Sequence, residues 1–246
     1  MTQRLSQPYE LDPDLVLRAY AMGVFPMADH RNANSVYWVE PKLRGVLPLD
    51  QFHLSRSLRK TVASDRFRVT ANRDFRGIMA LCAETADNRP DTWINGPIER
   101  VFITLHKRGF AHSIEVWDGE RLAGGLYGLA LGRAFFGESM VTRVRDASKV
   151  ALAWLVARLK AGGFTLLDCQ FQTEHLASLG TVEVPRDDYI ALLGAALGDS
   201  IAGLSLGSPS VSGDFFALDP PTSPDTVSVP GPLSGKVIAQ LLGQTS

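Results

Sequence analysis

The stretch Thr165–Gln170 reads TLLDCQ, an apolar run that closes on a carboxylate and an amide. Asp168 and Gln170 are two residues apart and so share one face of a strand, while Cys169 between them faces the other way. A carboxylate beside an amide can hold an amine and exchange hydrogen bonds or a proton with it. A strand also ends in polar residues simply where it meets water, so the pair needs support from elsewhere. A second carboxylate, Glu138, closes the apolar run FFGESM (135–140). Other chemistries find less footing. Gly137-Glu138-Ser139-Met140-Val141 lacks the second glycine of a nucleophile elbow, and Gly124-Gly125 lacks the spacing of a phosphate loop. Cys169 and His175 suggest a thiol nucleophile only weakly, because a buried cysteine is usually a small hydrophobe. Cys82 and Cys169 form no C-x-x-C pair and the five histidines are scattered, so no disulfide framework and no metal site is expected.

The elements that must position these groups follow from turn and cap residues. Asp12-Pro13 opens a helix over 13–22 that Gly23 stops. The Pro-, Asn- and aromatic-rich segment after it reads as loops and short strands of a small N-terminal unit, residues 1–61. FRVT (67–70) is a strand, RDFRGIMALCAE a helix, and Asn95-Gly96-Pro97 opens another helix that Gly109 ends. AHSIEVW, RLAGGLYGLAL and RAFFGESM are joined by tight Gly-bearing turns, hence an antiparallel meander. DASKVALAWLVARLKA is apolar nearly all round, a buried helix capped by Asp146. Strand TLLDCQ, a short helix in TEHLASLG, strand TVEV and a helix from PRDDY complete residues 62–204. Residues 205–246, rich in Pro, Ser and Gly, read as an extended tail ending in a small helix.

The 246 residues carry a formal net charge of −1, with 45% hydrophobic content and no apolar run of the roughly 20 residues a membrane helix needs. A cytoplasmic protein with no membrane partner is expected. Against this even balance, residues 51–80 hold Arg56, Arg59, Lys60, Arg66, Arg68, Arg73 and Arg76 but only Asp65 and Asp74. Such a run is either a solvated face or a surface that follows a nucleic-acid backbone.

The element order of residues 62–198 resembles the GNAT-like fold of acyltransferases that act on amines: an α+β domain with a mixed sheet flanked by helices, beside the small N-terminal α/β unit. The long helix makes the strands before and after it parallel. Their carboxyl ends then line one cleft, which brings together Glu138, Asp168 and Gln170. Acetyl-CoA enzymes of this fold cradle a pyrophosphate on a Gly-rich loop before the long helix. Here that place reads VTRVRDASK, without glycine.

FFGESM, ASKVAL (147–152), LLDCQ (166–170), HLASLG (175–180) and VPRDDY (184–189), with HSIEVW, GGLYG, GVFP and EPKLRGVLPL, resemble in collinear order the bacterial leucyl/phenylalanyl-tRNA–protein transferases. The likeness spans roughly residues 11–195. It implies transfer of Leu or Phe, and by pocket breadth Met, from aminoacyl-tRNA to the N-terminal Arg or Lys of a protein, marking it for degradation, with no cofactor. It implies that Asp168 and Gln170 are the catalytic pair and that Glu138 grips the α-ammonium of the transferred residue. Phe135, Met140, Leu126, Trp93 and Trp38 fall where the family places pocket or terminal-adenosine contacts, and Arg59, Lys60, Arg66, Arg68 and Arg76 where basic residues hold the acceptor stem. Val39 and Met27 depart from the family at positions where Trp is frequent. Two other readings stand beside this one: a GNAT-type N-acetyltransferase that binds acetyl-CoA, and a charged-tRNA or degron adaptor that forms no bond.

Overall fold

In the computed structural model, which describes residues 10–84, 91–198, 212–219 and 233–243, local signals place most of the elements. Asp12 accepts from the Asp14 amide and Pro13 takes the first helical position, which starts α1 (Pro13–Ala21). Its buried residues Val16, Leu17, Ala19 and Tyr20 form one face. A two-stranded ribbon, β1 (Phe25–Met27) and β2 (Tyr37–Val39), follows. Then come β3 (Leu43–Val46), a short 3-10 turn, α2 (Arg56–Ala63), β4 (Arg68–Ala71) and α3 (Phe75–Ala83). The helix α4 (Gly96–Lys107) is capped by the Asn95 side chain. The meander is β5 (Ala111–Asp118), β6 (Arg121–Leu131) and β7 (Ala134–Thr142), followed by α5 (Ala147–Ala161) and β8 (Leu166–Gln170). The chain continues through α6 (Glu174–Ala177), β9 (Val182–Pro185), α7 (Arg186–Leu197) and α8 (Gly235–Leu241).

The main sheet has seven strands in the order β4-β5-β6-β7-β8-β3-β9, antiparallel except for the parallel pair β7–β8. The crossover through α5 enforces that exception. Helices cover both faces. On one side α5, α2 and α8 share a core with Leu126, Phe135 and Leu167; on the other α1, α3, α4 and α7 pack over Tyr127, Phe136 and Leu166.

Three expectations change. Asp146 precedes α5 with a left-handed φ of 71° and its side chain caps nothing; the turn before the helix, not the carboxylate, sets its start. β3 comes from the segment expected to form a separate N-terminal unit, yet it lies between β8 and β9 in the main sheet. The segment expected to stay clear of the core contributes to it. The Phe215 ring stacks on Phe135 and His112, and Ile238, Ala239 and Leu242 are buried against the α2–α5 side. The remainder of that tail lies outside the described residues.

Candidate active site

The parallel ladder between β7 and β8 stops at the pair Phe136–Asp168, although both strands continue. Beyond it β7 stays with β6 and β8 stays with β3, so the sheet splits between the two strands. Glu138 and Gln170 stand on either side of this split. Each strand carries an irregularity there. On β7, Gly128 pairs with Gly137 and Tyr127 with Ser139, which leaves Glu138 as the extra residue of a bulge. On β8, Gly45 of β3 pairs with Gln170 and Val46 with Asp168, which leaves Cys169 unpaired. Bulges re-aim side chains and raise local twist. Gly128 permits the first one: a Cβ there would lie 2.3 Å from both the Phe136 carbonyl oxygen and the Phe135 ring.

Glu138 is 7% exposed and faces the α1 side, where the Tyr20 hydroxyl donates to its Oε1 at 2.7 Å. Edge-on contact with Phe136, 5.0 Å between centroids, holds the Tyr20 ring in place. Burial pushes Glu138 up to about 8; the Tyr20 hydroxyl and the Gln170 amide oppose the rise without cancelling it. The Gln170 amide is near enough to act on Glu138, but Glu138 Oε2 and Gln170 Nε2 are both buried with no partner in hydrogen-bond geometry. Glu138 and Gln170 thus meet in the split, and neither Oε2 nor Nε2 has another partner among the described residues.

Asp168 is fully buried and its oxygens are taken. Arg44 forks onto it, with Nε 2.9 and 3.1 Å from Oδ1 and Oδ2 and Nη2 2.7 Å from Oδ2. The Tyr189 hydroxyl donates to Oδ2 at 2.8 Å and the backbone N–H of Gln170 to Oδ1 at 2.7 Å. Gln170 itself has φ 61°, a left-handed conformation that few non-glycine residues adopt. Cys169 packs toward α5, and burial pushes its thiol up to about 12, which leaves no thiolate to attack.

The other expected residues scatter. Phe135 and Leu126 lie in the interior on the α5 side, with the Phe135 ring against Phe164 and Phe215. Met140, paired across the ladder with Leu126, is half-buried. Trp93 is half-buried next to the β1–β2 ribbon, its carbonyl accepting from Ala28, and Trp38 on β2 is exposed. The basic run is spread over both sides of the sheet and its β4 edge. Arg59 and Lys60 are on α2 and Arg76 on α3, on opposite faces of the sheet, with Arg68 on the edge strand β4 between them. Arg59 also donates to the Ala239 carbonyl of α8, Arg66 lies 4.8 Å over Phe67 and Arg68 5.0 Å over Trp117. Sequence reasoning missed Arg44, Tyr20 and Tyr189. A lone arginine inside the apolar run LRGVLPL was the available signal for the first.

A carboxyl and an amide thus face each other across a strand split, with the neighbouring thiol turned away. Comparison with known proteins shows the class of enzyme, a transferase. The leucyl/phenylalanyl-tRNA protein transferase family matches residues 46–194, and the N-terminal domain of the same family matches residues 9–42. A leucyl/phenylalanyl-tRNA–protein transferase from Rhizorhabdus wittichii is 62% identical over 245 residues, covering 96% of this chain and 99% of its own length. One from Zymomonas mobilis is 62% identical over 187 residues, 76% and 70% respectively. One from Novosphingobium aromaticivorans is 46% identical over 259 residues, 98% of each. The chain belongs to the leucyl/phenylalanyl-tRNA–protein transferase family.

Proposed function

We propose that this aminoacyltransferase moves Leu or Phe from tRNA to a protein N-terminus by holding donor and acceptor together in the β7–β8 split. The observation that carries the reading is the pair of open, buried polar atoms, Glu138 Oε2 and Gln170 Nε2. Buried polar atoms without partners are rare, and a site that a ligand completes accounts for them. Glu138 takes the α-ammonium of the transferred residue, a charge-assisted bond. Gln170 receives the acceptor, its side-chain carbonyl accepting from the attacking amine while the open Nε2 donates to the carbonyl oxygen of the ester.

The amine nitrogen attacks the ester carbonyl carbon. The peptide bond forms as the ester bond to the ribose breaks, and the proton lost by the amine ends on the departing ribose hydroxyl. An aminoacyl ester is already activated and an α-amine has a pKa near 8, so juxtaposition, worth ~7 kcal/mol or more, is the main task. Asp168 has no open oxygen and contributes through Gln170. Met140, Trp93 and Trp38 keep accessible surface and are assigned to substrate contacts, with Phe135 and Leu126 supporting from beneath. Lys60, Arg66 and Arg68, with Arg59 and Arg76 flanking, are assigned to tRNA phosphates. The acceptor begins with Arg or Lys, the fold is GNAT-like, and the product is a degradation signal in the cytoplasm.

The test is label transfer. Incubated with radiolabelled Leu-tRNA or Phe-tRNA and peptides beginning with Arg, Lys, Ala or Glu, the protein should label the Arg and Lys peptides, and Glu138→Gln and Gln170→Ala should lose most of that activity while staying folded. Label that arrives only from acetyl-CoA, or full activity in both variants, overturns the reading.

A further inference from the structure

The Arg44 side chain is 1% exposed, and its guanidinium lies 4.6 Å from the centre of the Phe25 ring and 4.5 Å from that of Tyr189. Burial works against its charge, and the Asp168 carboxylate overcomes this and raises its pKa. All three nitrogens are used. Nε and Nη2 fork onto Asp168, and Nη1 donates to the Gly23 carbonyl at 2.9 Å. These two contacts lead to the two halves of the site. Asp168 accepts from the backbone N–H of Gln170, the residue in the left-handed conformation. Gly23 ends the turn that closes α1, its N–H bonded to the carbonyl of Tyr20, and Tyr20 is the residue that donates to Glu138.

We propose that Arg44 is a positioning residue for the transfer reaction: one side of its fork fixes the backbone of Gln170 through Asp168, and the other fixes the end of α1 that sets Tyr20 on Glu138. The proposal rests on the transfer reading above. Arg44 touches no substrate. Its planar fork matches a carboxylate in two places and leaves Nη1 for a third acceptor, and the stacked rings keep that plane fixed. A lysine has the charge without the fork. A left-handed Gln170 persists only where its surroundings impose it, and its N–H donates to the same Asp168 oxygen that Arg44 grips. Without the guanidinium, Asp168 is a buried charge with no counterion and is free to turn away from that N–H.

The experiment uses full-length protein in four forms: wild type, Arg44→Lys, Arg44→Ala and Tyr189→Phe. The last removes one donor to Asp168 and keeps the ring under the guanidinium. For transfer from Phe-tRNA to an Arg-initiated peptide, Arg44→Lys should lower kcat at least tenfold and leave KM for Phe-tRNA within twofold. Free guanidinium should restore part of kcat to Arg44→Ala, and sodium chloride at equal ionic strength should not. In protein alone, the Gln170 backbone N–H should exchange its hydrogen slowly in wild type and in Tyr189→Phe, which keeps the fork, and at least tenfold faster in Arg44→Lys. Wild-type kcat in Arg44→Lys, a loss confined to KM, or a kcat loss with unchanged Gln170 exchange overturns the proposal. Should Arg44→Ala not fold, Arg44→Lys decides: unchanged kcat and exchange overturn it, and a fall in kcat with faster exchange supports it. A wild-type protein that transfers nothing overturns the functional reading by itself, whereas the exchange comparison tests the clamp without any substrate.

Discussion

Replacing Glu138 with Gln should flatten the dependence of stability on pH. The carboxyl sits near 8 in the folded protein against an ordinary 4.5, because burial in the split penalises its charged form. Its sign follows from proton counts. Between these two values the folded state keeps a proton that the unfolded chain has released, so stability falls as pH rises. The contribution is fully present below about 4.5, is lost through the window up to about 8, and is constant above it. At 1.36 kcal/mol per unit, the rise from about pH 5 to about pH 8.5 costs the wild type about 4 kcal/mol through this one group. The amide introduced by Glu138→Gln has the same shape and no titration, and Tyr20 can still donate to its carbonyl oxygen. Urea melts of both proteins at the two pH values give the quantity needed, the wild-type loss minus the variant loss, from which every other titrating group cancels. With a slope of about 3 kcal/mol per molar, the wild-type midpoint should move by more than about 1 M further than that of the variant. Parallel shifts in the two proteins would show that Glu138 titrates as an ordinary carboxyl, and the picture of a proton held in the split would fall with it.

The same proton bears on binding. A Glu138 that must ionise to meet an ammonium should bind a 3′-amide analogue of phenylalanyl-adenosine about tenfold more tightly per unit from about pH 6 towards about pH 7.5, beyond which the ligand's own amine begins to lose its proton; titration calorimetry that shows no slope, or the same slope in Glu138→Gln, refutes this. Phe135→Ala should cost ~3–5 kcal/mol in urea melts, the cost of emptying a fully buried aromatic site, with the Leu-to-Phe transfer ratio unchanged; a changed ratio at unchanged stability would return Phe135 to the substrate pocket. Replacing Lys60, Arg66 and Arg68 by Ala should reduce the slope of log affinity for tRNA against log salt by roughly 0.7–0.9 per contact removed, and an unchanged slope makes these residues an ordinary solvated face. Arg59 is left out of that set because its bond to the Ala239 carbonyl ties α2 to α8, so its removal confounds docking with binding.

Elements with local signatures were legible in the sequence. The caps at Asp12 and Asn95, the Gly-bearing turns of the meander and the all-round apolar α5 each state their structure in a few residues. The parallel pairing of β7 with β8 followed from the crossover, and with it the nearness of Glu138 to Gln170. What sequence could not show was set by contacts between distant segments. β3 reaches its place between β8 and β9 by pairing with segments far along the chain, and there Arg44 meets Asp168, 124 positions away. The charge run of residues 51–80 looked continuous because spacing carries no information about which face of the sheet each helix takes; α2 and α3 went to opposite faces. The Pro- and Gly-rich composition of the tail hid the burial of Phe215 and of the apolar residues of α8, a small helix that the sequence did show.

Two carboxyl groups close together under burial cannot both stay charged without compensation, and this site resolves the conflict differently for each. Asp168 receives a guanidinium and two further donors and becomes part of the frame. Glu138 receives the Tyr20 hydroxyl and the Gln170 amide but no cation, and burial leaves it with a proton. The difference arises from what each neighbours: β3 brings Arg44 to Asp168 on β8, while Glu138 on β7 meets the tyrosine of α1. The carboxyl that lacks a built-in cation is the one positioned to take a cation from solution. On the proposed function the two acidic residues have separate tasks: Asp168 holds the backbone of Gln170 in place, and Glu138 is the one assigned to the substrate's ammonium.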